Sequence, residues 1–260
     1  EKNSFAFATL KANLIDNKKH FNWPSWLPQT PHDINEVLKK YTPQLKSLRG
    51  TVDLVAGGPP CQGFSMAGKR VEEDIRNNLV FSYINFIKLV RPKIILFENV
   101  KGFTYAFDKK KNEDAIPYSQ KVIEGLKRLG YNVKPHIIDF SKYGVPQRRN
   151  RFILVGVQKT IGSPDSFETL LESVKDVFLQ SKGISSRTTV KDAISDLLQS
   201  NGEIPTPDRK GFKSGLYGRV ESNYQILLRG TYPEEQHIPD SHSFAKHTIE
   251  KTECFRNLLA

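Results

Sequence analysis

The sequence predicts an α/β fold with a mostly parallel sheet and an antiparallel hairpin at its end. Short apolar runs typical of strands alternate with segments of helical period between residues 52 and 157. One connection is long enough for a crossover helix, which joins parallel strands in a right-handed turn. The last connection is short and contains glycine and proline, so it can join only antiparallel neighbours.

Composition narrows the class of protein. The 260 residues are enough to bury a full α/β core, and 39 Lys and Arg against 28 Asp and Glu give a net charge of +11, which favours a polyanionic partner. Two cysteines cannot form a disulfide framework, and six scattered histidines lack metal-ligand spacing. Without a signal peptide or a long apolar run, we expect a soluble protein in a reducing compartment, with no metal and no membrane contact.

The first elements place a cysteine on a loop. Residues 5–14 have the pattern of an amphipathic helix, and a second helix is predicted over Ile34–Tyr41 with Asp33 as its N-cap. The apolar run 52–56 predicts a buried strand, which Gly-Gly-Pro-Pro at 57–60 ends. Cys61 follows and is a candidate nucleophile, although a cysteine near a strand end is most often a small buried apolar residue.

The next unit brings a carboxylate to the same edge of the sheet. Apolar residues at helical spacing predict a helix over Leu79–Val90 that Pro92 stops, followed by a strand over Lys93–Phe97 that ends in Glu98-Asn99-Val100. This β-helix-β crossover makes the two strands parallel. Cys61 and Glu98 should therefore leave the same edge.

The final unit adds arginines. A helix through residues 122–129 closed by Gly130 precedes a strand over Tyr131–Ile138, and the next strand covers Phe152–Val157. Because these two strands should form the antiparallel hairpin, Arg149 and Arg151 enter the last strand from the edge that carries Cys61 and Glu98. Ligands of open parallel sheets bind at that edge.

The remainder is less regular. A further amphipathic helix is predicted from Phe167 to Val177, and residues 181–260 are polar and weakly periodic. We expect a core domain over residues 1–160, followed over 161–260 by a connecting segment and the start of a smaller recognition region.

The predicted edge supports one kind of chemistry. A thiolate needs nearby positive charge, and a carboxyl group can protonate the atom under attack. A cysteine protease is disfavoured because no histidine base is placed at this edge. The cysteine, the carboxylate and the arginines together suit nucleophilic addition to an electron-poor heterocycle attached to a phosphate backbone. The alternatives are a Glu98 that only caps a helix or forms a salt bridge, and a solvated charged strand start at 147–151.

Three motifs in this order resemble the DNA (cytosine-5) methyltransferase family: Gly-Pro-Pro-Cys-Gln-Gly-Phe-Ser at 58–65, Glu-Asn-Val at 98–100 and Gln-Arg-Arg-Asn-Arg at 147–151. Further segments that resemble the family are residues 31–34, 74–79, 190–197, 222–225 and Arg229, and the opening helix behind Glu1. The resemblance implies a Rossmann-like S-adenosylmethionine-dependent methyltransferase fold.

The resemblance also implies a mechanism. The target cytosine is flipped out of the duplex, Cys61 adds to C6, Glu98 contacts N3 and the exocyclic amine, and C5 is methylated. Arg151 helps to hold the base and the activated intermediate, and Arg149 supports the base-binding loop or a phosphate. The implied substrate-binding residues are Gln62, Ser65, Lys69, Asn99, Val100 and Gln147. The implied cofactor-binding residues are Glu1, Asp33, Ile34, Pro60 and Leu79.

The expected partners are S-adenosylmethionine, which leaves as S-adenosylhomocysteine, and double-stranded DNA or RNA. We expect a monomer when intact, in the cytoplasm or nucleoid of a bacterium or in the nucleus of a eukaryote, with restriction-modification among its roles.

The sequence departs from the family pattern at both ends. No Phe-x-Gly-x-Gly cofactor loop occurs, and the family's late cofactor segment is not found. We therefore expect a piece of a larger or split enzyme that binds S-adenosylmethionine poorly alone. Three alternatives stay open: a transfer-RNA cytosine-5 methyltransferase, a non-catalytic nucleic-acid-binding relative, and a generic thiol enzyme, the last weakened by the arginines and the missing histidine base.

Overall fold

The computed structural model describes residues 1–60, 78–106, 115–207, 209–230, 238–239 and 242–259. The helices are α1 (Ser4–Leu10), α2 (Ile34–Lys40), α3 (Thr42–Ser47), α4 (Leu79–Val90), α5 (Tyr118–Arg128), α6 (Phe167–Ser181), α7 (Val190–Ile194), α8 (Asn223–Arg229) and α9 (Ile249–Leu259). The strands are β1 (Leu54–Gly57), β2 (Ile94–Val100), β3 (Tyr131–Asp139), β4 (Asn150–Gln158), β5 (Glu203–Pro205) and β6 (Lys213–Gly215).

The main sheet has the strand order β1-β2-β4-β3. β1 and β2 are parallel, with Leu54 opposite Ile94, whereas β2 and β4 are antiparallel, with Val100 opposite Arg151. At the two ends of the β3–β4 pair, the Phe140 N–H donates to the Arg149 carbonyl and the Lys159 N–H to the Gly130 carbonyl, as in an antiparallel hairpin. Three strands therefore share one direction and β4 opposes them, which confirms the predicted fold class.

Local signals in the sequence explain the confirmed helices. The carboxylate of Asp33 accepts a hydrogen bond from the Asn35 N–H at 2.8 Å and so caps α2, as predicted. Helix α4 has the predicted bounds; Arg91 leaves it in the left-handed region at φ 53°, and Pro92 prevents its continuation. Gly130, at φ 87°, turns the chain from α5 into β3.

Several elements differ from the sequence-based expectation, among them β2, β1 and the opening helix. β2 does not end at Phe97, because β4 pairs with it through Val100; Glu98, Asn99 and Val100 thus lie within the strand. β1 was expected to be a buried strand over residues 52–56, but it covers Leu54–Gly57, pairs with β2 and leaves Leu54 51% exposed. The opening helix was expected to be regular through Leu14, but after α1 it continues as a π-helix over Lys11–Asn17.

The core lies between one face of the sheet and helices α4 and α5. Fully buried side chains of the two helices cover this face, among them Val80, Ile87, Val122 and Leu126. The Phe97 ring of β2 meets the ring of Tyr83 at 5.3 Å and that of Phe103 at 5.5 Å between centroids. This aromatic packing fixes the end of β2 that carries the predicted motif.

The described chain packs as two units. The first comprises residues 1–138 and 150–171, and the second residues 139–149 and 172–260. In the second unit, α7, α8 and the β5–β6 pair occupy a stretch that the sequence left as irregular. The predicted domain boundary at residue 160 stays a prediction. In the described part of the chain, no helix is long and apolar enough to cross a membrane.

Candidate active site

Glu98 and Arg151 form an ion pair across β2 and β4. Because Val100 lies opposite Arg151 and Glu98 opposite Ile153, Glu98 and Arg151 are diagonal neighbours on one face of the sheet. The Arg151 Nε donates to Glu98 Oε1 at 2.8 Å. The side chain of Glu98 is 44% exposed and that of Arg151 17%, so the carboxylate is more accessible than the arginine that holds it.

Gly58 lies against the other oxygen of the same carboxylate. A Cβ atom added to Gly58 would be 2.9 Å from Glu98 Oε2. Only glycine lets the backbone approach this closely without a shift of the carboxylate. Gly58 comes three residues before Cys61 in the sequence, so the carboxylate contacts the segment that leads to the candidate nucleophile.

Asn99 ties that segment to β2. Its side chain is buried, with 1% exposed; Nδ2 donates to the Pro59 carbonyl at 3.3 Å, and Oδ1 accepts from the Val100 N–H at 2.9 Å. Both ends of the amide are therefore used within the protein. Its implied part in substrate binding stays a prediction.

The other predicted catalytic and substrate-binding residues have different placements. Arg149 and Gln147 belong to the second unit, where both are exposed, and the Arg149 carbonyl closes the β3–β4 hairpin. Val100 is half-buried opposite Arg151, and Pro60 is exposed. The predictions for Cys61, Gln62, Ser65 and Lys69 lie outside the described residues.

The predicted cofactor residues lie on connected elements of the first unit. The His32 N–H donates to the Glu1 carbonyl at 2.9 Å, which brings the start of the chain next to Asp33 and Ile34. Ser82 Oγ donates to Asn35 Oδ1 at 2.6 Å, which ties α2 to the helix that begins at Leu79.

The chemistry of these groups suits a nucleoside. The Asn3 N–H donates to Glu1 Oε1 at 2.7 Å, and this hydrogen bond lowers the pKa of the Glu1 carboxyl group. An ionised carboxylate accepts hydrogen bonds from sugar hydroxyls, and the half-buried Ile34 and Leu79 offer apolar surface. This carboxylate and these apolar side chains therefore fit the expected cofactor.

Comparison with known proteins identifies the chain. Residues 7–255 match the family of C-5 cytosine-specific DNA methylases. The chain belongs to this family. It is 35% identical over 181 residues to the Type II methyltransferase M.XorII of Xanthomonas oryzae, covering 69% of the chain and 37% of that relative. It is 33% identical over 208 residues to M.AgeI of Thalassovita gelatinovora, covering 76% of the chain and 46% of the relative.

A solved structure is also similar to this methylase-family chain. It is described as a DNA modification methyltransferase encoded within a prophage of E. coli; the TM-score is 0.48 and the identity 20%, over 88% of this chain and 56% of that one. The chain spans less than half the length of the two curated relatives named above.

Sequence reasoning did not predict two sets of side-chain contacts in this family member. Tyr83 was treated only as part of an amphipathic helix, yet its hydroxyl lies 3.3 Å from the carbonyls of both Val55 and Leu96. In the second unit, Arg229 and the buried Asp196 form an ion pair at 2.7 Å. A tyrosine in the buried stripe of a helix needs a partner for its hydroxyl, which was the available signal for the first set.

Over the described ranges, no cluster of three or more His, Cys, Asp or Glu side chains could hold a metal ion.

Proposed function

We propose that this chain transfers a methyl group to C5 of cytosine in DNA, with Cys61 as the nucleophile. The observation that supports this most directly is the Glu98–Arg151 ion pair, whose carboxylate lies against Gly58, in a member of the C-5 cytosine-specific DNA methylase family. A reachable carboxylate beside the segment that leads to a cysteine is the arrangement that nucleophilic addition to a cytosine ring requires.

The target base must leave the duplex before the reaction, because its C5 and C6 atoms are stacked inside the helix. The Cys61 thiolate then forms a bond to C6, and the electron pair of the C5–C6 double bond moves towards N3. Glu98 donates a proton to N3 and accepts a hydrogen bond from the exocyclic amine. The extra electron density at C5 makes this carbon nucleophilic.

Release of the enzyme reverses these shifts. After C5 has gained the methyl group it loses its proton to a base, the bond between the Cys61 sulfur and C6 breaks, and the C5–C6 double bond forms again. The proton on N3 returns to Glu98. Both carboxyl states of Glu98 are thus used in one cycle, and Arg151 keeps the side chain in place through both.

S-adenosylmethionine, when bound, supplies the methyl group and leaves as S-adenosylhomocysteine. We propose that Glu1 and Asp33 bind its hydroxyl and amine groups and that Ile34, Pro60 and Leu79 contact its apolar parts. The exposed Arg149 and Gln147, with Gln62, Ser65 and Lys69, would contact the DNA, and the net charge of +11 favours that partner.

Trapping with duplex DNA that contains 5-fluorocytosine tests the mechanism, because fluorine at C5 cannot leave as a proton and the sulfur–C6 bond persists. The purified full-length protein that contains this sequence is incubated with this duplex and S-adenosylmethionine, and adducts are resolved by denaturing electrophoresis. We expect an adduct from the parent and from Cys254→Ser, a matched control because Cys254 is an exposed thiol, and none from Cys61→Ser.

Two results would contradict the proposal. A protein that methylates DNA but forms no adduct would exclude the covalent mechanism. Methylation of transfer RNA without methylation of duplex DNA would exclude DNA as the substrate and support the RNA alternative.

A further inference from the structure

Tyr83 contacts both strands that lead to the candidate active site. It projects from α4, is 9% exposed, and packs edge-on against the Phe97 ring with centroids 5.3 Å apart. Its hydroxyl lies 3.3 Å from the Val55 carbonyl on β1 and 3.3 Å from the Leu96 carbonyl on β2. Val55 comes two residues before Gly57, and Leu96 two residues before Glu98. One side chain therefore links the strand of the Cys61 segment to the strand of Glu98.

Gly57 receives the ring of the same tyrosine. A Cβ atom added to Gly57 would lie 2.8 Å from Tyr83 Cδ2 and closer still to Cε2. Because real Cβ atoms do not approach other atoms to this distance, any side chain at position 57 would displace the ring or the backbone. The Tyr83 ring thus occupies the space that a Cβ atom at position 57 would need.

The hydroxyl of Tyr83 stays a hydrogen-bond donor at neutral pH. Burial raises the pKa of Tyr83, so the group keeps its proton. A tyrosine hydroxyl has one proton, and two carbonyl oxygens lie within reach of it. It can donate to either carbonyl, and this position between them ties α4 to both strands.

We propose that Tyr83 is a positioning residue, which sets the distance between the Gly57–Pro60 segment and Glu98. This inference rests on the proposed function for its effect on catalysis, but not for its effect on the segment itself. Tyr83 contacts no reacting group; it acts through the backbone of Val55, Gly57 and Leu96. Methyl transfer would need this spacing because the nucleophile and the carboxyl group act on one ring.

Tyr131 provides a matched control. Its hydroxyl donates to the Pro92 carbonyl at 2.6 Å, it is fully buried, and burial raises its pKa as well. The contact lies at the start of β2, whereas Glu98 lies near the end of that strand. Tyr83→Phe and Tyr131→Phe therefore delete the same atom from the same core, one beside Leu96 within β2 and one beside Pro92, two residues before this strand begins.

Amide hydrogen exchange of peptides covering residues 54–60 tests the positioning role without any catalytic readout. We expect Tyr83→Phe to speed exchange in these peptides about fivefold, as loss of one hydrogen bond allows, while Tyr131→Phe leaves them unchanged. Equal exchange at 54–60 in the two variants, or faster exchange spread evenly over the protein in Tyr83→Phe, would overturn the inference.

A double variant of Gly57 and Tyr83 provides a second test of their contact. Gly57→Ala should speed exchange at 54–60 in the parent, and the added Tyr83→Ala should reverse part of this effect because the ring that meets the new Cβ is gone. An effect of Gly57→Ala that is the same in both backgrounds would contradict the proposed contact.

The catalytic consequence is measured by adduct formation on 5-fluorocytosine duplex at saturating DNA. We expect Tyr83→Phe to slow adduct formation about tenfold with an unchanged Kd for DNA, and Tyr131→Phe to have no effect on either. No adduct from the parent would sink the proposed function while leaving the exchange result to judge Tyr83. An adduct from all three proteins at one rate would refute the role of Tyr83 in the reaction.

Discussion

Arg151 donates through Nε to Oε1 of Glu98 from the neighbouring antiparallel strand, at 2.8 Å. The pairing of Val100 with Arg151 sets this contact, because it makes Glu98 and Arg151 diagonal neighbours on one face of the sheet. The guanidinium group holds one carboxylate oxygen and leaves the other near Gly58. Orientation of Glu98 therefore depends on the register of two strands.

Arg151→Lys should reduce methyl transfer strongly although it preserves the charge. An ammonium group on a flexible stem lacks the planar Nε donor, so it cannot hold Glu98 in the same orientation. We expect a loss of about a hundredfold in kcat, comparable to the removal of one preorganised hydrogen bond in an active site.

The control for this change is Lys93→Met. Lys93 forms an ion pair with Asp53 at 2.7 Å, with both side chains more than half exposed, before the first residue of β2. An exposed pair at that end should leave kcat within about twofold of the parent. If Arg151→Lys retained full activity, Glu98 would not depend on the guanidinium group.

Asn99→Ala should destabilise the protein by about 1–3 kcal/mol, because the Pro59 carbonyl loses its buried donor. Urea unfolding measures this free energy. Asn132→Ala is the control, since the Asn132 side chain also donates to a carbonyl, that of Gly162 at 2.8 Å, but in an exposed position. Equal losses in the two variants would show that the burial of Asn99 adds nothing.

Arg229→Met should destabilise the second unit by about 3–5 kcal/mol, because it leaves Asp196 as a buried, unpaired carboxylate. Asp196 is 5% exposed in its side chain, and its Oδ2 accepts from Arg229 Nε at 3.0 Å and Nη2 at 2.7 Å. Thermal and urea unfolding should also show partial recovery in Asp196→Asn/Arg229→Met. Lys213→Met, which breaks the exposed pair with Glu203, should cost less than about 1 kcal/mol.

Asp192→Asn should reduce stability at neutral pH but not at low pH. The Thr189 N–H and hydroxyl donate to Asp192 Oδ2 at 2.8 and 2.7 Å, and these bonds lower the pKa of the carboxyl group from its usual value. A depressed pKa in the folded state stabilises the protein above the unfolded pKa, and the contribution is lost as the pH falls through the folded value.

Urea unfolding of the parent and of Asp192→Asn at pH 7 and pH 2.5 checks this sign. The difference between the two proteins should be present at pH 7 and shrink at pH 2.5. A difference that grew on acidification would mean that the carboxylate does not stabilise the capping box.

The sequence was sufficient to bring Glu98 and Arg151 to one edge, because a crossover helix and a short hairpin each permit one strand direction. It could not predict their contact, since that depends on β4 lying between β2 and β3 and on the register of Val100 with Arg151. Strand order is decided by packing between distant segments, which leaves no local signal.

The second unit was harder for a different reason. Helices α7 and α8 have five and seven residues, too few for an apolar period to stand out. Their order depends on a capping box at Thr189 and on the ion pair of Asp196 with Arg229. The Thr-x-x-Asp pattern was the one local signal for a helix start. Residues 190–197 and Arg229 resemble the family, but that resemblance did not predict that Asp196 and Arg229 form an ion pair.

β4 pairs with β2 through seven residue pairs, although α5 and β3 separate the two strands in the sequence. Glu98 therefore precedes α5 in the chain, and Arg151 follows it. A chain interrupted anywhere between Val100 and Asn150 would carry half of the ion pair on each fragment. Neither fragment alone would hold the ion pair, and we expect the proposed activity to return only when the two reassemble one continuous ladder of backbone hydrogen bonds. The fold thus makes complementation of two inactive halves a direct report on strand pairing.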